Sequence, residues 1–114
     1  MSFNQLTDAE AERLAMLLEE LGEAQQVIGK ILRHGYASHH PDNNISNRTL
    51  LTEELGDVLA AIDLMVKACD LKQSQLSSCM NGKLLRVHKY LHQQRLAATG
   101  YGVYARPWHI RNDD

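Results

Sequence analysis

From Thr7 to His34 the chain carries no proline, and Leu14, Leu17, Leu18, Leu21, Ala24, Ile28, Ile31 and Leu32 recur at helical spacing. Thr7 with Glu10 has the form of a capping box, and Gly35 is a suitable stop. A helix is therefore predicted over about 7–34. Leu50, Leu51, Leu55, Val58, Leu59, Ile62, Met65, Val66 and Cys69 predict a second over about 48–71. Leu76, Met80, Leu84, Val87 and Leu91 predict a third over about 73–98, with Gly82 as its weak point. Tyr36 to Asn47, rich in Ser, His and Asn, reads as a loop, and Gly100 and Gly102 open a tail over 99–114. Strand alternation of useful length is not found. The predicted fold class is all-α: three long helices per chain plus a C-terminal arm.

A length of 114 residues suits one domain, 1–114, with enough surface buried for a real core. Aromatics make up only 5% of the chain, which favours packed helices over sheets. A net charge of −2 excludes a generally basic nucleic-acid coat, so no nucleic-acid polymer is expected as partner. No apolar run is long enough to span a bilayer, and Met1 to Asp8 shows no signal peptide, so no membrane partner and a cytoplasmic location are expected. Cys69 and Cys79 lack CxxC spacing and are expected to be reduced, buried thiols.

The informative feature is a pair of acidic segments, Glu19-Glu20-Leu21-Gly22-Glu23 and Glu53-Glu54-Leu55-Gly56-Asp57. Glu20 with Glu23, and Glu54 with Asp57, are i,i+3 pairs that point the same way from their helices. Like charges at that spacing repel, and a bound cation reverses the sign of the interaction. At about 100° per residue, Met16, Glu20, Glu23 and Val27 form one row, and Leu50, Glu54, Asp57 and Ala61 form another with the same spacings. Each acid pair is bracketed by apolar residues at the edge of the core face, where unpaired charge is costly. Glu19, Glu53 and Asp63 lie farther round, where solvated charges belong. An antiparallel hairpin brings the two pairs to within a turn or two of each other. Four converging carboxylates suit a hard divalent cation, Mg²⁺ with Mn²⁺ as substitute, rather than Zn²⁺. No Glu-x-x-His occurs, which counts against di-iron chemistry.

These segments resemble the EExxE and ExxD motifs of the MazG-type nucleoside triphosphate pyrophosphohydrolases, members of the all-α NTP pyrophosphatase superfamily. The stretches LLEELGEA and LLTEELGDVLAAI are also family-like, and the resemblance covers roughly Leu14 to Val66. It implies Mg²⁺-dependent hydrolysis of an NTP or dNTP to the monophosphate and pyrophosphate, in nucleotide-pool control. By position, Glu20, Glu23, Glu54 and Asp57 would hold Mg²⁺, and Glu19 would orient or deprotonate the attacking water. Asn81, Lys83 and Arg86 are candidate phosphate ligands, in competition with Lys30 and Arg33. The connector of thirty residues between Glu23 and Glu54 is long for this motif and resembles that of phage-encoded members. A dUTP, dCTP or phosphoribosyl-ATP pyrophosphatase belongs to the same superfamily. The alternative of another class is a non-catalytic helical interaction module.

Other residues carry weaker readings. His88 and His92 have i,i+4 spacing but lack a third ligand nearby, and His39-His40 is expected to face solvent. Lys89, Arg95 and Arg106 are further cations, and Tyr101, Tyr104 and Trp108 suit an arm packed on protein. No GxxxxGK[ST] loop is present, which excludes a P-loop mechanism. The second helix is apolar over more than half its circumference, with Leu50, Ala61, Leu64 and Ala68 beside its main face. Association into a homodimer or homotetramer would cover it.

Overall fold

The structure is a computed structural model in which residues 3–94 are described. Its elements are α1 (Asp8–His34), α2 (Asn47–Lys67) and α3 (Gln73–Arg86), followed by a 3₁₀ turn at Val87–Lys89. The described residues contain no strand, so the all-α expectation holds at that level. The chain forms two compact units, Met1–Asp70 and Leu71–Asp114.

In the first unit α1 and α2 form an antiparallel hairpin. Its ends identify the direction: Arg13 near the start of α1 grips Asp70 just beyond α2, while Gly35 at the end of α1 accepts from Asn47 at the start of α2. The capping box at Thr7 is complete, with Thr7 N–H donating to Glu10 Oε1 (2.8 Å) and Glu10 N–H to Thr7 Oγ1 (3.1 Å). Gly35 closes α1 at φ 89°, its N–H bonded to Ile31 O. Ser46 caps α2 through Thr49 N–H, and an isolated antiparallel bridge between His39 and Ser46 narrows the connector. Buried Asn47 pins the connector by donating to Gly35 O at 3.1 Å.

The core of this unit is thin: Ala24 and Val27 on α1 meet Val58, Ala61 and Met65 on α2. Two of these five core residues are alanines, and no large side chain among the described residues is fully buried. The leucine pattern of α1 therefore does not mark its core face as the sequence suggested. Leu14, Leu18, Leu21, Ile28 and Leu32 are exposed, as are Leu55, Leu59 and Leu64 on α2.

Three other expectations are corrected. α2 ends at Lys67 rather than about 71, because Cys69 adopts left-handed φ (66°) and Asp70 N–H folds back to Met65 O. This is a Schellman-type stop with cysteine where glycine is usual. The third helix, expected to about 98, ends at Arg86 and tightens into the 3₁₀ turn. It has no side-chain cap and buries no residue, so nothing holds the pattern in α-helical form. Cys69 and Cys79 are free but exposed, not buried: one lies in the turn after α2, the other on α3. Residues 95–98, the tail over 99–114, and with them Arg95, Arg106, Tyr101, Tyr104 and Trp108, lie outside the described residues.

Candidate metal centre

The two acidic segments meet at the middle of the hairpin. Glu20 and Glu23 come from α1, Glu54 and Asp57 from α2, and each offers a carboxylate oxygen within 4.8 Å of the others. The helical phase explains why. Glu20 and Glu54 sit almost in line with the buried alanines and valines, and Glu23 and Asp57 lie farther round on the same side of the hairpin. Asp57 is exposed and the other three are half-buried, which leaves one open approach from solvent.

Two oxygens of the cluster, Glu20 Oε2 and Glu54 Oε2, are shielded from solvent and have no hydrogen-bond partner among the described residues. Burial raises the pKa of Glu20 above the ordinary carboxyl range, and the charges of Glu23, Asp57 and Glu19 add to the rise. Glu54 is raised first by burial, then by hydrogen bonding to Glu23 and by the charges of Glu23, Asp57 and Glu20. Neither has a cationic side chain among the described residues to offset this. Such a cluster is favourable only with a proton or a cation among the oxygens. An all-oxygen donor set with two orphaned buried oxygens fits a hard divalent ion such as Mg²⁺ or Mn²⁺.

Glu19 is exposed and stands outside the four-carboxylate group, reaching it only through its charge. Glu53 is likewise exposed, and Asp63 pairs with Lys67 at 2.6 Å on the outer face of α2. Lys30 and Arg33 line a cavity of about 560 Å³ at the connector end of the hairpin. Asn81, Lys83 and Arg86 are on α3 in the second unit, where Lys83 Nζ lies 5.4 Å from the Tyr90 ring centroid. His88 belongs to the 3₁₀ turn and His92 to irregular chain after it, so their i,i+4 spacing is not held on one helix. Asn47 closes the stretch read as loop and opens α2, and no role of its own is legible for it in the sequence. A signal was present in the Ser46–Thr49 capping spacing, which makes Asn47 the first residue of α2.

None of the helices among the described residues is long and apolar enough to cross a membrane. Compared with protein-family models, curated proteins and solved structures, the chain gives no match.

Proposed function

We propose that the chain is a Mg²⁺-dependent nucleoside triphosphate pyrophosphohydrolase of the MazG-like kind, acting on an NTP or dNTP in the cytoplasm. The observation that supports this reading most is the convergence of Glu20, Glu23, Glu54 and Asp57, with two buried oxygens that no group among the described residues satisfies. In the reaction, water attacks the α-phosphorus, the bond to the bridging oxygen breaks, and pyrophosphate leaves with the nucleoside monophosphate as the other product. The bound ion supplies charge neutralisation on the phosphoryl oxygens and a lowered pKa for water. The four carboxylates fix its position from two helices that are locked together at both ends. Glu19, exposed one residue before Glu20, would orient the attacking water. Lys30 and Arg33 carry positive charge on the connector side; Lys83 and Arg86 carry a second pair on α3, beside the neutral amide donor Asn81. Most of the acceleration then comes from positioning and electrostatics.

The exposed leucines add a second element to this reading. In an antiparallel pair, Leu18 and Leu21 of α1 and Leu55 and Leu59 of α2 share one side of the hairpin, opposite Glu23 and Asp57. A second copy of the chain covers this side, giving a homodimer or homotetramer whose carboxylate sites stay open.

The test is a panel of the common NTPs and dNTPs scored for pyrophosphate release with Mg²⁺. Release is expected from at least one, and Glu54→Gln or Asp57→Asn should abolish it with helicity retained. Activity that survives both substitutions, or products of diphosphate and free phosphate, would overturn the reading.

A further inference from the structure

The cavity at the connector end of the hairpin has a lining that the carboxylate cluster does not explain. Lys30, Arg33 and His34 reach it from the last turns of α1, His39 and His40 from the connector, and Leu50 from α2. No carboxylate is among these lining side chains. Neither Lys30 nor Arg33 has an acidic partner among the described residues. The acid nearest the lining is Asp42, whose exposed carboxylate lies 3.5 Å from His40 Nδ1.

The cavity is continuous in register with the acids. On α1, Glu23, Val27, Lys30 and His34 follow one another at spacings of four, three and four, so the row that carries the acids continues into the cavity wall. On α2, Leu50 stands one turn before Glu54 and forms the opposite wall. Along α1 the step from Glu23 to Lys30 is about 10 Å. A single hairpin face thus runs from four negative groups to two uncompensated positive ones.

The imidazoles add donors of defined direction. Asp42 N–H donates to His40 Nδ1 at 3.1 Å, so neutral His40 carries its proton on Nε2. His39 Nδ1 lies 3.0 Å from His40 O, a pure acceptor, so its proton is on Nδ1 and is already used. His40 Nε2–H is therefore the free ring donor of the pair. Rigidity comes from below, where Asn47 ties the connector to Gly35.

A ligand matched to this face has a cation-binding portion at one end and uncoordinated negative charge at the other. We infer that the cavity is a polyphosphate subsite, in which Lys30 and Arg33, with the His40 Nε2–H donor, hold the far end of a linear phosphoanhydride chain. The near end of that chain is held at the Glu20–Glu23–Glu54–Asp57 cluster through a divalent ion. The inference rests on the proposed function for the near end, and it assigns the leaving pyrophosphate, not the base, to the cavity. Recognition there is independent of base and sugar, and the cations of α1 rather than those of α3 take the leaving group.

Calorimetric titration of the full chain with inorganic tripolyphosphate, with and without Mg²⁺, tests this. The wild-type chain should bind, and Lys30→Ala with Arg33→Ala should weaken binding on the order of tenfold or more in both conditions. Both side chains are exposed on α1, so far-UV circular dichroism should be unchanged, and Lys30→Arg should retain most of the affinity. Glu54→Gln should remove only the increment due to Mg²⁺. Unchanged binding in the double variant, or no binding of tripolyphosphate to the wild type, overturns the subsite. Hydrolysis separates this from the proposed function: tripolyphosphate binding without pyrophosphate release from any nucleotide leaves the subsite standing and removes the enzyme. Release with an unaltered KM in the double variant does the reverse.

Discussion

Arg13 and Asp70 close the open end of the hairpin with a two-point contact, Nε to Oδ2 at 2.6 Å and Nη2 to Oδ1 at 2.9 Å. Both side chains are largely covered, at 22% and 14% exposure, so the fork-to-carboxylate geometry is protected from solvent. The hydrogen bond from Arg13 holds the Asp70 carboxyl below its ordinary pKa, despite an opposing effect of burial. With the Gly35–Asn47 clasp at the other end, the pair fixes how α1 and α2 slide along one another, and so how Glu20 faces Glu54.

Asp70→Asn should lower the thermal midpoint by several degrees. Because the folded pKa of Asp70 is depressed, the pair contributes fully above the unfolded value of about 3.9 and is lost as pH falls through the folded one. The gap between wild type and variant in thermal melts should therefore be widest near neutrality and close toward low pH. A gap that persists unchanged in strong acid would count against this ion pair as its source.

The carboxylate cluster has the opposite sign. Glu20 and Glu54 are raised above the unfolded glutamate pKa of about 4.3, so their own contribution to the stability of the metal-free chain is fully present below that value. It falls as pH rises through their folded pKa values. Thermal melts in a chelator should show this loss, and Mg²⁺ should restore more stability near pH 8 than near pH 5. Glu54→Gln should raise the metal-free midpoint at neutral pH and remove the response to Mg²⁺. A midpoint insensitive to Mg²⁺ at every pH would refute cation binding at this cluster.

The acid rows were legible because i,i+3 spacing survives any small error in helix ends, and Glu20, Glu23, Glu54 and Asp57 do meet. The capping box at Thr7 and the stop at Gly35 were legible for the same local reason. The core was not. Leucines outnumber alanines on α1, yet the buried residues there are Ala24 and Val27, while Leu14, Leu18, Leu21 and Leu32 are exposed. The end of α2 was hidden because Cys69 takes a backbone conformation that composition assigns to glycine. Helical periodicity alone overran α3, since Leu84, Val87 and Leu91 keep the spacing without a buried face to enforce it.

Cys69 offers a direct check on that stop. Its left-handed φ of 66° costs a side-chain-bearing residue on the order of 1–2 kcal/mol. Cys69→Gly relieves this but gains unfolded-state entropy, so the net stabilisation should be about 0.5–1 kcal/mol. Denaturant melts should show a higher midpoint for the glycine variant, and Cys69→Val, branched at Cβ, should shift it lower than wild type. Equal midpoints for all three would mean that the turn after Lys67 does not hold this conformation in solution.

The leucine side of the hairpin predicts the assembly. Leu18 is 73% exposed and Leu59 67%, so replacing either with Glu leaves the buried core residues Ala24, Val27, Val58, Ala61 and Met65 untouched. If a second copy covers this side, light scattering coupled to size exclusion should give a dimer or tetramer for the wild type. Leu18→Glu with Leu59→Glu should give a monomer of unchanged helicity, because a carboxylate in an apolar interface loses its hydration without gaining a partner. Asp57→Asn, on the opposite side, should leave the assembly intact while removing pyrophosphate release. A monomeric wild type, or a double variant that still associates, would remove the leucine side as the interface.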